Sequence, residues 1–304
     1  MTHLRFDTLI VEARNNPPLT VAVVDAADKI TLESAKLLLD QGIMRPVLVG
    51  NEKKIRALMK DIGMTEETPI VSAGSDEQAA REGVRLVEEG TAQSLMKGHV
   101  HTDIFLHPVL EQLRKGVRVS HVFVAELPAY RKLLFITDAA INITPDLATK
   151  ESILQNAIDM VHALGHPVPD CAVLSAVEIV SPNIPSTLDA ACLAKMADRG
   201  QITGARVDGP LPFDSAISAE AARTKGIRSS VAGEVDILLV PDMISGNILA
   251  KNLEYLAGAT LAGIVLGARV PVILTSRSDP PRSRFLSGCL ASVLWHTLHS
   301  DSPR

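Results

Sequence analysis

Aromatic residues are scarce: one Trp, two Tyr and six Phe make up 3% of the chain. A surface that grips single-stranded nucleic acid needs stacking rings set among basic residues. No basic run with interleaved aromatics is present, and the net charge of -5 argues the same way. Cysteine is scarce too. Cys171, Cys192 and Cys289 are far apart and odd in number, which fits reduced, buried thiols and not a disulfide framework. No apolar run reaches the length of a membrane span, and the N-terminal residues carry no signal-peptide pattern, so a cytoplasmic location is expected. The dinucleotide fingerprint G-x-G-x-x-G, the P-loop, C-x-x-C, H-E-x-x-H and the G-x-S-x-G elbow are all missing. His99, His101 and His107 have no cysteine or carboxylate beside them at ligand spacing, so no metal site is expected there.

What the chain does have is alternation. Its 304 residues are 46% hydrophobic and 21% charged, enough for two α/β domains or one large one. Apolar runs of strand length at 20–24, 46–50, 69–72, 93–97, 120–126 and 132–137 are interleaved with amphipathic stretches at 28–42, 52–62, 76–89 and 103–115. The rhythm continues with helices expected at 148–164, 187–199, 214–225 and 245–257, and strands at 170–176, 201–207, 235–240, 261–266 and 271–274. Strand, helix, strand in buried βαβ units predicts an α/β fold with largely parallel sheets. The Pro-containing segment 142–147 and the region around 271–275 are the expected crossings. They divide the chain into a first α/β domain of 1–142 with 276–304 and a second of 143–275, with a cleft at the crossings.

Ligands in open α/β sheets gather at the carboxyl ends of strands. The polar residues that follow expected strands include Lys97, Gly98, His101, Thr102, Ser120, Asp138, Asn142, Asp214, Asp242, Gly246, Asn247, Ser276, Arg277 and Asp279. The last group stands out. A short apolar run at 271–274 ends in Thr-Ser-Arg-Ser-Asp-Pro and feeds a helix whose apolar face is Phe285, Leu286, Cys289, Leu290, Val293 and Leu294. Ser278 or Asp279 can cap that helix, and Pro280 and Pro281 suit its first positions. A helix N-terminus beside the forked guanidinium of Arg277 is an anion site in outline.

These segments carry a resemblance. LMKGHVHT (95–102), VSHVFV (119–124), LLFITDAAINITPDL (133–147), KMADRGQITGARVDGPL (195–211), VDGPLPFDSAIS (207–218), VAGEVDILLVPDMISGNILAK (231–251) and TSRSD (275–279) are similar to the phosphate acetyl/butyryl transferase family, in family order, over nearly the whole chain. ITDAAINI, KMADRGQI and TSRSD resemble its phosphate butyryltransferase branch. The resemblance implies an acyltransferase: acyl-CoA plus phosphate giving acyl phosphate plus coenzyme A, with a short acyl group, acetyl to butyryl. It implies a fold similar to the isocitrate and isopropylmalate dehydrogenases, two α/β domains with the active site in the interdomain cleft. It also implies a homodimer or higher homo-oligomer and no cofactor, since coenzyme A is a substrate. The partners expected are acyl-CoA, CoA, phosphate and acyl phosphate, with neither nucleic acid nor membrane.

Acyl transfer between a thiol and phosphate needs a site for the phosphate dianion, a route for the thiol proton, and donors for the carbonyl oxygen. The family's serine–arginine pair falls on Ser276 and Arg277, the arginine to bind phosphate and stabilise the transition state, the serine to orient thiol or phosphate. The resemblance places His101, Thr102, Ser120, Gly246 and Asn247 as substrate contacts, and Asp214 is a further candidate. In the acetyl branch an aspartate lies seven residues after the serine; here that position is Ser283. Asp279 is the nearest carboxylate, either as general base or as helix cap. Two other functions fit the same chain: a metal-dependent 2-hydroxy-acid dehydrogenase of the same fold, and a non-catalytic subunit that binds CoA or acyl phosphate.

Overall fold

The computed structural model describes residues 4–277 and 279–299. In chain order the first part runs α1 (Phe6–Asn15), β1 (Leu19–Val24), α2 (Lys29–Asp40), β2 (Met44–Gly50), α3 (Glu52–Ile62), β3 (Ile70–Ser72), α4 (Asp76–Glu88), β4 (Ser94–Lys97) and α5 (Thr102–Gln112). Then come β5 (Ser120–Glu126), β6 (Leu134–Thr137), α6 (Leu147–Ala163), β7 (Asp170–Leu174), α7 (Pro185–Asp198) and β8 (Arg206–Leu211). The chain continues with α8 (Phe213–Ile217), α9 (Ala219–Thr224), β9 (Ile237–Leu239), α10 (Met243–Tyr255), β10 (Thr260–Leu266), β11 (Val272–Ile273) and α11 (Pro281–His299). Two compact units result. One is Phe6–Val119 with the chain from Ala262 onward; the other is Ser120–Leu261 with residues 4 and 5. The divisions fall at 119/120 and 261/262, earlier in the chain than the crossings expected near 142 and 275.

The first unit orders its strands β3-β2-β1-β4-β11-β10. β1, β2, β3, β4 and β11 are parallel neighbours, and β10 joins β11 antiparallel. β1 reads LTVAVV and is buried at every position but Thr20, as a strand covered on both faces requires. Its helices start on side-chain caps: Asp28 Oδ2 accepts from the Thr31 N–H at 2.9 Å, Asn51 from Lys54 and Ser75 from Gln78. α11 returns to this unit and packs on α1 and α2. It is buried without a break from Ser283 to Leu294. Gly288 makes that possible, because a Cβ there would lie 2.5 Å from Leu38 Cδ2 of α2.

The second unit orders its strands β5-β6-β9-β7-β8. β6, β9, β7 and β8 are parallel neighbours. β5 and β6 pair antiparallel, Val122 with Thr137 and Ala125 with Leu134. The βαβ pattern expected for these two strands is therefore replaced by a hairpin, since the short 127–133 connection is too brief for a crossover. Phe123, Leu134, Ile136, Leu174, Leu211, Leu238 and Leu253 share its core. Two further expectations move. The strand predicted over 201–207 begins only at Arg206, because Gln155 holds Thr203 by both backbone groups in a loop and Gly204 takes φ +82°. The helix predicted over 214–225 is two short helices, broken where Ser218 turns extended (φ −131°) and caps α9 at Ala221.

The tightest approach in the first unit is at Gly98, just past β4. Its N–H donates to Val24 O at 2.8 Å, and a Cβ there would lie 2.2 Å from Asp25 O and 2.5 Å from Val24 O. These are backbone atoms in two paired strands and cannot yield. Gly98→Ala is expected to cost at least about 2 kcal/mol in urea unfolding, by the overpacking penalty; a loss under half that figure would show that the strand ends can part.

Candidate active site

The carboxyl ends of β1, β4 and β11 point the same way because β4 is parallel to both neighbours. Val272 and Ile273 face Leu95 and Met96, so the same register sets Leu274 beside Lys97. Lys97 is thus two residues across from the start of the Ser276–Asp279 loop. It is 2% exposed, and its one described hydrogen bond runs from Nζ to Gly98 O at 3.5 Å. Burial, then Arg284 and Arg277, push its ammonium down to about 8 against the opposing pull of Asp279 and Asp25.

Arg284, in the first turn of α11, is 1% exposed. Its Nη1 donates to Asp279 O at 3.3 Å and its Nη2 to Ser276 O at 3.1 Å, while Nε has no partner. Burial pushes this guanidinium down, with Asp279 and Asp28 opposing. Asp279 is 1% exposed, and its Oδ2 accepts from the Ser276 N–H at 2.8 Å. Arg284 and Asp279 together clamp both ends of the loop. Arg277, between them, is exposed. The carboxylate of Asp279 therefore reaches back along the loop to Ser276; Ser278, the other capping candidate, lies outside the described residues. Ser283 is 2% exposed, and its carbonyl accepts from Ser287 Oγ at 2.7 Å.

Asp25 completes the cluster. It follows β1 with φ +51°, a left-handed conformation that costs a non-glycine residue energy and that clusters at functional sites. Burial, then Asp76, pushes its carboxyl up, with His99 opposing. His99 Nδ1 lies 4.0 Å from Asp28 Oδ1. His101 sits exposed at the N-cap of α5 without a capping hydrogen bond from its side chain, and the half-buried Thr102 opens the helix.

The remaining sequence candidates are on the second unit. Ser120 is fully buried, and its Oγ accepts from Asn156 Nδ2 at 2.9 Å. Asp214 is exposed and paired with Lys225 at 2.7 Å, which holds its carboxyl below the ordinary range. Gly246 is buried; a Cβ there would lie 2.7 Å from Val240 Cγ2 and 3.0 Å from Ala139 Cβ, so the glycine lets α10 close on its own unit. Asn247 Nδ2 donates to Ala139 O at 3.3 Å. Among the described residues no three His, Cys, Asp or Glu side chains come together as a metal site. Burial raises the Cys171 thiol well above its ordinary value and takes Cys289 to about 12, so neither is a poised nucleophile.

Sequence reasoning named Lys97 only as a polar strand end and missed Asp25 and Arg284. A signal for Arg284 was present: Ser287, Gly288 and Ala291 follow it at three, four and seven residues, so it shares a face with small, close-packing residues.

Lys97 and Arg277 lie at and just past the carboxyl ends of parallel strands β4 and β11, with Arg284 in the first turn of α11, so positive charge gathers at one end of this α/β sheet. A family model described as phosphate acetyl/butaryl transferase matches residues 59–285. The phosphate acetyltransferase of Rhizobium meliloti is 48% identical over 298 residues, covering 96% of this chain and 93% of that protein. The phosphate butyryltransferase of Clostridium acetobutylicum is 41% identical over 293 residues, covering 95% and 97%. A branched-chain phosphotransacylase from Enterococcus faecalis V583 has a similar solved structure, with a TM-score of 0.82 at 33% identity, covering 91% of this chain and 99% of that one. The chain belongs to the phosphate acetyl/butyryl transferase family.

The depressed Lys97 has a thermodynamic consequence. Its folded value of about 8 lies below the ordinary 10.5, so between those values the unfolded chain binds more protons and stability rises with pH. Below about 8 the full cost of the buried charge is present. Lys97→Met is therefore expected to be more stable than the parent at neutral pH, by up to roughly 3 kcal/mol at 1.36 kcal/mol per pKa unit. The gap should close as pH approaches 10.5. A gap independent of pH in urea unfolding would contradict the assignment.

Proposed function

We propose that this chain is a phosphate acyltransferase that moves a short acyl group, acetyl to butyryl, between coenzyme A and inorganic phosphate. The observation that carries the reading is the loop holding exposed Arg277 beside buried Lys97, with its two ends fixed by Arg284 and Asp279. Arg277 binds the phosphate dianion with its planar fork and stabilises the charge that gathers on the carbonyl oxygen. Ser276 orients thiol or phosphate. His101 and Thr102 bring the α5 N-terminus as a further donor for anionic oxygens. Ser120 and Asn247 remain substrate-contact candidates that the family resemblance supplies. Asp214 and Gly246 have structural roles that account for them, through the Lys225 ion pair and the closure of α10.

The reading extends to the chain's setting. Three free cysteines fit a reducing, cytoplasmic compartment, and no helix among the described residues is long and apolar enough to cross a membrane. Ile244, Ile248 and Tyr255 form one stripe on α10, each at least 60% exposed, and a second copy of the chain covering it fits a homodimer or higher homo-oligomer. The isocitrate and isopropylmalate dehydrogenase-like arrangement of two α/β domains is part of this reading and rests on the family resemblance.

The experiment is release of free thiol from acetyl-, propionyl- and butyryl-CoA on adding phosphate. Arg277→Ala is expected to fold and to lose about 10²–10³ in phosphate-dependent turnover, the scale for removing one transition-state donor. Parent-like kinetics in that variant would sink the site. No thiol release from any of the three, with CoA binding retained, would favour the non-catalytic subunit. Asp279→Asn keeps an oxygen for the Ser276 N–H but cannot take a proton. Its turnover is expected to stay within about tenfold of the parent, below the usual contribution of a general base; a loss as large as that of Arg277→Ala would make Asp279 the base.

A further inference from the structure

The proton acceptor is missing from the expected place. By the family resemblance the acetyl branch's aspartate falls on Ser283, and that serine is buried with its carbonyl accepting from Ser287. Asp279 has one carboxylate oxygen committed to the Ser276 N–H. Lys97, by contrast, is nine-tenths buried with no ion pair among its described contacts and only one long hydrogen bond. A lysine is rarely left so in a structural role, because an unpaired buried ammonium costs several kcal/mol, of the order given for desolvating one ion. Lysines in dry sites beside other cations serve instead as bases and proton carriers.

We propose that Lys97 carries the proton between phosphate and the thiol of coenzyme A. This assignment rests on the acyltransferase reading above. The groups facing Lys97 come from every element around it: Asp25 after β1, Arg277 and Asp279 in the loop after β11, and Arg284 on α11. Two fixed guanidinium charges disfavour a third cation, and two carboxylates moderate them. A group poised at about 8 can both take and return a proton near the ionisation range of a thiol.

In the direction that makes acyl phosphate, a phosphate oxygen bonds to the acyl carbon and the carbon–sulfur bond breaks. Neutral Lys97 takes the proton of the attacking hydrogen phosphate, and the ammonium so formed gives it to the leaving sulfur. In reverse, neutral Lys97 takes the thiol proton as sulfur attacks the acyl carbon. The carbon–oxygen bond then breaks, and the proton returns to the departing phosphate. No other reactant is needed.

The test uses the full chain and two variants, Lys97→Met and Lys97→Gln, with folding checked by thermal unfolding. Coenzyme A bound to the parent near neutral pH is expected to show the ultraviolet band of a thiolate. The variants should bind it, by calorimetry, without that band. In acyl-phosphate-dependent acylation of coenzyme A both should lose about 10²–10³ in kcat, within the range for general acid–base catalysis. The KM for acyl phosphate should change little. The deficit should shrink as pH rises and the thiol ionises unaided, a signature that a packing role does not produce. A thiolate band that persists in the variants, or a KM effect with kcat intact, would overturn the assignment. The two levels separate cleanly. A Lys97-dependent thiolate band without any turnover by the parent removes the acyltransferase reading and leaves Lys97 as the thiol's proton acceptor, with no transfer to phosphate. Turnover equal in parent and variants does the opposite.

Discussion

Two buried cations held side by side set the terms for the first unit. Lys97 and Arg284 are each at most 2% exposed; Asp279 acts on both, Asp25 on Lys97 and Asp28 on Arg284. Charge of one sign out of water is tolerated only where hydrogen bonds and fixed neighbours hold it. The surrounding structure supplies both. Gly98 lets β4 close on β1 so that Lys97 is dry, and Gly288 lets α11 close on α2 so that Arg284 is dry. Arg284 then finds its partners in two backbone carbonyls, and those carbonyls belong to the loop that presents Arg277. The interior charge and the exposed charge are parts of one arrangement.

Much of the first unit was legible because its signals are local. LTVAVV is apolar from end to end, as a parallel strand must be, and Asp28, Asn51 and Ser75 announce the helices they cap. Gly63, at φ +63°, marks where α3 stops. Direction was not legible. β5 and β6 read as buried strands, but whether they pair as a hairpin depends on a connection whose path no periodicity encodes. The break at Ser218 was hidden for a related reason, since a serine inside a polar helix window looks like any other polar position until it caps the next turn.

The site divides along the same line. Arg277 stands out through the strand–loop–helix pattern, and Ser276 through the family resemblance. Lys97 was visible as a strand end, but the charges that act on it, Arg284, Arg277, Asp279 and Asp25, are distant in sequence. Arg284 reads as a solvated charge until its helix is seen to be buried on every side from Ser283 to Leu294. Gly246 reads as a place for close backbone approach, and its missing Cβ also makes room for Val240 and Ala139. Long-range neighbours decide dielectric, and dielectric decides what a charged side chain can do.

Every role proposed for the Ser276–Asp279 loop depends on phosphate binding there. A crystal structure of the chain with inorganic phosphate tests that most directly. The phosphate is expected in bidentate contact with the guanidinium of Arg277, beside Ser276 and within reach of Lys97. A phosphate bound elsewhere on the chain, with Arg277 turned away from it, would contradict the account.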